Sequence, residues 1–197
     1  MTRIVTSIPL LYLLLLIPAA RPVWHLFAQD WYYPDLMFQT GVWSIYLLIL
    51  TISVSPALAV IRLIGHGKAL GRWLLPRRRH FGLISAIYAF VHVAHYLLYT
   101  SDVEIIWIEL FQLAFLTGWG SLLIFAVLAA TSNGPSARYL GSTWKTLHLL
   151  IYPAAALAFW HWSLFDFHPT RWIFWAGVFC VPKLIQFAAT RSRKLLA

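Results

Sequence analysis

The sequence has a single cysteine, Cys180, only six acidic residues, and none of the glycine-rich loops that hold nucleotides. One cysteine excludes an intramolecular disulfide and a thiolate metal cluster. With no GxGxxG segment, Walker-type loop or CxxC pair, the chain has no familiar loop for a dinucleotide or nucleotide, and no CxxCH for covalent haem. Charge is scarce as well. Of 197 residues 11% are charged and 61% hydrophobic, and the mean hydropathy is +0.74. Soluble domains carry roughly 25% charged residues, and so few polar side chains cannot cover a water-facing surface of this composition. A soluble enzyme is excluded, and lipid is the solvent for most of the chain.

What the sequence does have is long apolar runs. Six stretches can cross ~30 Å of hydrocarbon: residues 4–20, 42–64, 81–99, 110–130, 147–165 and 172–189. Lipid offers no partner to backbone N–H and C=O groups, so each run must satisfy its own as a helix. The expected fold is all-α: one domain over 1–197, a polytopic membrane protein built as a six-transmembrane-helix bundle. No internal repeat and no low-complexity linker stands out.

Fifteen basic residues against six acidic ones give a net charge of +9. In a soluble protein that balance suggests nucleic acid. Here the charges sit in short clusters between apolar runs, so they report topology, and no nucleic-acid partner is expected. Lys68, Arg72, Arg77, Arg78 and Arg79 fall between the second and third runs, and Arg138 and Lys145 between the fourth and fifth. Arg191, Arg193 and Lys194 close the chain, and Arg3 opens it. All six acids (Asp30, Asp35, Asp102, Glu104, Glu109 and Asp166) lie in or at the edge of the alternate loops. The positive-inside rule then puts both termini in the cytoplasm, and parity requires six spans. The first run, with Pro18-Ala19-Ala20 after it, has the look of a signal peptide, but cleavage would leave five spans and break the parity. Trp24, Trp31, Tyr32, Tyr33, Tyr99, Trp107, Trp160 and Trp162 gather at the outer boundary as an interfacial belt.

Ionisable groups inside a membrane are costly and mark function by default. No acid is buried in a run, which leaves histidines: His92 and His95 in the third, His148 and His161 in the fifth. At ~1.5 Å of rise per residue, His92 stands ~20 Å above Arg79, while His95 and His161 stand ~24 Å above the cytoplasmic starts of their spans. His161 therefore meets His92 or His95 at one height, and His148 sits about 20 Å lower. Histidines stacked at two levels suit b-type haems, whose iron takes neutral imidazole as an axial ligand. His80 lies near the level of His148 and is a further candidate there. Thirteen residues of ideal helix set His148 and His161 about 140° apart. Either Pro153 rephases the helix between them, or they serve cofactors on different sides. Arg77, Arg78 and Arg79 serve as a topogenic stop or pair with haem propionates or an anionic redox partner. Trp144 and Tyr152 flank His148, where a quinone or flavin ring can stack.

The segment RRRHFGLISAIYAFVHVAHYLLY, residues 77–99, resembles the third-helix pattern of the bacterial MsrQ family, also called YedZ, through Arg78, Arg79, Gly82, Leu83, His92 and Tyr96. LGSTWKTLHLLIYPAAALAFWHW, residues 140–162, resembles its fifth-helix motif through Gly141, Trp144, Leu147, His148, Tyr152 and His161. Residues 40–58, with Thr40-Gly41 and Ser55-Pro56, are similar to its second helix. The resemblance implies a b-haem cytochrome of the bacterial inner membrane in the ferric-reductase-like superfamily, with His92, His148 and His161 as haem ligands. It implies electrons from the quinone pool or a cytosolic flavin reductase, delivered to the periplasmic molybdenum enzyme MsrP, which reduces methionine sulfoxide. FMN is also associated with the family. His95 is not part of the pattern, so the third-helix ligand is His92 or His95. Two other readings stand beside this one: a related transmembrane cytochrome b with another acceptor, and a haem-free membrane scaffold or transporter.

Overall fold

The computed structural model describes residues 7–28, 34–63, 68–166, 170, 173–178, 180–181, 184–185 and 187–188. Described elements are all helical: α1 (Ile8–Leu16), a 3-10 turn (Ile17–Ala19), α2 (Ala20–Phe27), α3 (Pro34–Leu63), α4 (Lys68–Thr100), α5 (Val103–Leu110), α6 (Leu113–Ala130), α7 (Gly134–Leu140), α8 (Ser142–Leu147), a 3-10 turn (His148–Leu150) and α9 (Ile151–Phe165). Among the described residues five segments are long and apolar enough to cross a membrane: Ile8–His25, Asp35–Arg62, Lys68–Thr100, Leu113–Ala130 and Ser142–Phe165. They correspond to the first five expected runs. The sixth, 172–189, is interrupted by residues outside the described set; Trp175 and Val178 within it pack on Ile45, Ile49 and Trp162. Arg3, Asp30, the Trp31–Tyr33 part of the aromatic belt, His66, His168, Arg171 and the basic tail also lie outside the described residues.

Three expected loops turn out helical. Residues 68–80, read from their charge as a cytoplasmic loop, form the first turns of α4, and Pro76 sits inside that helix. Proline cannot donate a backbone bond. Near it, Arg77 Nη1 donates to the Trp73 carbonyl at 2.8 Å, and the guanidinium lies 4.5 Å over the Trp73 ring. The acidic segment between the third and fourth runs contains α5, because Asp102 caps it, accepting from the amides of Glu104 and Ile105. The fourth loop holds α7 and α8, separated at Gly141, whose φ of 53° favours glycine.

Helix association in lipid rests on close packing and interhelical hydrogen bonds rather than on expulsion of water. Accordingly α3 packs chiefly on α4, and α6 on α9. Ala154, Ala155 and Ala158 let backbones approach in a core shared with Leu48, Ile52 and Phe125. Large apolar side chains such as Leu13, Leu116 and Leu123 face outward, as lipid permits.

These two helix pairs follow one plan that inspection of the sequence does not reveal. Residues 38–44 on α3 and 115–121 on α6 share F-x-T-G-x-x-S, and residues 86–92 on α4 and 155–161 on α9 share A-x-x-A-F-x-H. Ser44 Oγ donates to the Ser85 carbonyl at 2.9 Å, and Ser121 Oγ to the Ala154 carbonyl at 3.0 Å. Each acceptor lies seven residues before the pair's histidine. The two helix pairs thus repeat one arrangement. Its copies fall out of phase because 51 residues separate Gly41 from His92 but 43 separate Gly118 from His161.

Candidate haem site

Helix α4 carries His92 and α9 carries His161, and the two rings meet with centroids 6.1 Å apart at an interplanar angle of 84°. Each ring is held the same way. His92 Nδ1 donates to the Met37 carbonyl on α3 at 2.8 Å, and His161 Nδ1 donates to the Ala114 carbonyl on α6 at 2.7 Å. A carbonyl only accepts, so both Nδ1 atoms carry the proton and both Nε2 atoms keep a free lone pair. That is the tautomer of a metal ligand oriented by an outer hydrogen bond.

Glycine makes the approach possible. A Cβ at Gly41 would stand 3.0 Å from His92 Nδ1, and one at Gly118 would stand 2.7 Å from His161 Nδ1. Both helices expose bare backbone where the imidazoles lie.

Of the two third-span candidates, the structure pairs His92 with His161. His95 is buried, with Nδ1 bonded to the carbonyl of Val91 one turn back at 2.9 Å. Its Nε2 has no hydrogen-bond partner among the described residues. Above the histidines, the Tyr96 hydroxyl donates to Glu109 Oε2 at 2.7 Å, tying α5 to α4.

His148 lies toward the basic end, in the 3-10 turn that precedes α9. Pro153 lacks the N–H that would continue an α-helical ladder backwards, so a tighter turn rephases the segment. The His148 ring stacks on Trp144 at 4.0 Å and 28°, and its Nε2 bonds Thr131 Oγ1 at 3.2 Å. His148, Trp144, Tyr152, Arg78, Arg79 and Lys145 line a cavity of about 410 Å³. Because α4 contributes Arg79 and Gly82, and α9 Ile151 and Tyr152, the two helices run parallel away from it. Arg78 Nη1 also donates to Ser55 Oγ at 3.1 Å. His80 is not among the lining residues and bonds the Tyr12 hydroxyl through Nδ1 at 3.0 Å.

The residues present fit haem. Among the described residues, no group of three or more His, Cys, Asp or Glu side chains gathers to hold a bare metal ion. Two opposed imidazoles suit a metal whose remaining ligands come from a macrocycle. An imidazole nitrogen stands about 2 Å from a metal it binds, so two on opposite sides of one ion hold their ring centres roughly 6 Å apart, which is the separation found.

Residues 40–159 match the family described as ferric reductase like transmembrane component. The chain belongs to that family. It is 31% identical over 153 residues to the protein-methionine-sulfoxide reductase heme-binding subunit MsrQ of Xanthomonas axonopodis pv. citri (strain 306), covering 75% of this chain and 66% of that one. It is 37% identical over 119 residues to the MsrQ of Brucella anthropi, covering 59% and 50%. Against the MsrQ of Xanthomonas campestris pv. campestris (strain B100) it is 32% identical over 132 residues, covering 64% and 56%. The chain thus spans just under two thirds of the length of the first of these relatives. No solved structure matches it. The MsrQ resemblance is met by these relatives, and the family stretch runs from Thr40 to Phe159, taking in Gly41, His92, Ala114, Gly118 and His148 while leaving Met37 just before it and His161 just after it.

Sequence reading quoted Thr40-Gly41 only for its likeness to a family helix and missed the role of the other half of this site. Met37, Gly41, Ala114 and Gly118 carry no polar side chain, and they act through backbone carbonyls and missing side-chain atoms. The signal that finds them is the paired T-G dipeptide, visible once α3 and α6 are superimposed in register.

Proposed function

We propose that this chain is a b-type haem electron-transfer subunit of the bacterial inner membrane. It passes electrons from the quinone pool or a cytosolic flavin reductase to a periplasmic, molybdenum-dependent protein-methionine-sulfoxide reductase. The observation that carries this reading is the facing pair His92–His161, each imidazole tied through Nδ1 to a backbone carbonyl. Haem bound there supplies a one-electron iron couple in a region without water. His92 and His161 would hold the iron through their Nε2 atoms, and the four apolar helices would keep it from solvent. The MsrQ relatives, named as heme-binding subunits of a methionine-sulfoxide reductase, support both the cofactor and the acceptor.

His148 serves the donor side. Its cavity brings one imidazole, two flanking aromatics and the cations Arg78, Arg79 and Lys145 together, a set suited to a planar, anionic ring system. A second haem, a flavin such as FMN and a quinone differ in what they leave in the purified protein. A dithionite-reduced spectrum of the purified, haem-supplemented protein is expected to show a b-type Soret band. Two haems per chain assign the cavity to haem, and one leaves it to flavin or quinone. No Soret band at all defeats the haem reading.

The basic end of the bundle, with Arg78, Arg79 and Lys145, faces the cytoplasm, and the α5 end with Glu104 and Glu109 faces the periplasm. Both termini then lie in the cytoplasm, with six spans. Phosphatase fusions after Asp102 are expected to be active and fusions after Asn133 or Ala197 inactive. The reverse pattern overturns the orientation.

A further inference from the structure

Each carbonyl that holds a histidine also receives a hydroxyl. Thr40 Oγ1 donates to the Met37 carbonyl at 2.8 Å, the same oxygen that accepts from His92 Nδ1. Thr117 Oγ1 donates to the Ala114 carbonyl at 2.9 Å, the same oxygen that accepts from His161 Nδ1. Both hydroxyls reach a second carbonyl as well, Leu36 at 3.0 Å and Leu113 at 2.9 Å. Both threonines are buried, at 0% and 4% exposure. Threonine back-bonding onto its own helix is common by itself. Here it converges, in both helix pairs, on the one carbonyl that orients a histidine.

We infer that Thr40 and Thr117 are paired positioning residues which set how strongly His92 and His161 donate electrons to the iron. The inference rests on the haem reading above and goes beyond it. A carbonyl oxygen has two lone pairs, and a donor on one makes the oxygen a weaker acceptor for the other. The threonine hydroxyl therefore restrains the Nδ1–H···O=C bond. A stronger bond there would shift negative charge toward Nε2, making the imidazole a more basic ligand that favours ferric iron. A weaker bond favours ferrous iron, so the hydroxyls raise the potential of the site. With one threonine on each side, both axial ligands are tuned alike.

The test uses the full chain, haem-loaded in detergent, with Thr40→Val, Thr117→Val, the double variant, and Thr40→Ser and Thr117→Ser. Valine keeps the shape and removes the hydroxyl. The readouts are the spectrum, the haem-to-protein ratio and the midpoint potential from a redox titration. Each valine variant is expected to retain a low-spin bis-imidazole spectrum. Its ferrous-to-ferric ratio at fixed ambient potential should fall roughly three- to tenfold, tenfold being about 59 mV for one electron. The double variant should fall further, and each serine variant should return toward the parent. Loss of haem in a valine variant with recovery in its serine partner overturns the tuning, because the hydroxyl would then be holding the site together rather than weakening a ligand. An unchanged or raised potential with haem fully bound overturns it, and so does a serine variant that behaves like valine. Failure of the haem reading looks different: the parent chain itself would hold no haem.

Discussion

Replacing His161 with alanine is expected to abolish the haem between α4 and α9, and with it all electron delivery to a periplasmic acceptor. His161 is the only imidazole that the second helix pair brings to this level; its ring packs on Phe165 and its Nδ1 is held by the Ala114 carbonyl. No neighbouring donor replaces the lost iron bond, and a cavity opens at the edge of the macrocycle. His92→Ala should be nearly as severe. His95→Ala should be mild, because His95 bonds its own helix and, among the described residues, has no facing imidazole comparable to the 6.1 Å pair. His148→Ala should impair reduction from the donor side and leave the haem proposed between His92 and His161 in place. Visible spectra and haem-to-protein ratios of the four purified variants check this series. Full haem in His161→Ala refutes the paired-helix site, and loss of haem in His95→Ala with retention in His92→Ala reverses the assignment on α4.

The second large effect comes from one methyl group. Gly118→Ala places a Cβ 2.7 Å from His161 Nδ1 and 2.8 Å from Cε1. Contacts that short do not persist, so the imidazole must swing away from α6, and its hydrogen bond to the Ala114 carbonyl breaks. Haem occupancy is expected to fall at least tenfold, since outer-shell ligand support is typically worth about 10- to 100-fold in metal affinity. Gly41→Ala is the graded control. Its Cβ would meet His92 Nδ1 at 3.0 Å, tight but relieved by a few tenths of an ångström, so a partial loss with a broadened spectrum is expected. Retention of full haem by Gly118→Ala would mean that the ring has room the close approach denies it. Gly177, with nothing within 4 Å of its Cβ position, should accept alanine without effect on haem.

Much of this site is legible in the sequence because a helix is a ruler. Counting rise per residue from Arg79 and from Lys145 puts His161 level with His92 or His95, and the structure brings His92 to it. The same ruler fails on direction: ideal geometry turns His148 and His161 about 140° apart, and the 3-10 turn at His148–Leu150 that alters the phase is set by tertiary context as well as by Pro153. Charge misleads over 68–80, where a basic cluster reads as loop and yet α4 begins at Lys68. Arginine and lysine are good helix formers, and their charge says which side of the membrane a segment takes, not whether it is helical. The choice between His92 and His95 is invisible in sequence, since it depends on a carbonyl of another helix. The repeated arrangement is hidden because only a handful of positions are shared, Thr, Gly and Ser on one helix and Ala, Phe and His on the next, where the two helices of each pair meet.

The shared plan of α3–α4 and α6–α9 has a consequence for how the protein is made. On the proposed ligation each copy supplies one axial nitrogen, so neither half is a cytochrome alone. During synthesis the first copy enters the bilayer holding His92 against Gly41, with nothing opposite. Its complement arrives only when residue 161 has been inserted. The pigment then acts as an inspector of assembly: colour appears only after both halves have been threaded in the correct orientation, and a chain stalled before its ninth helix stays pale.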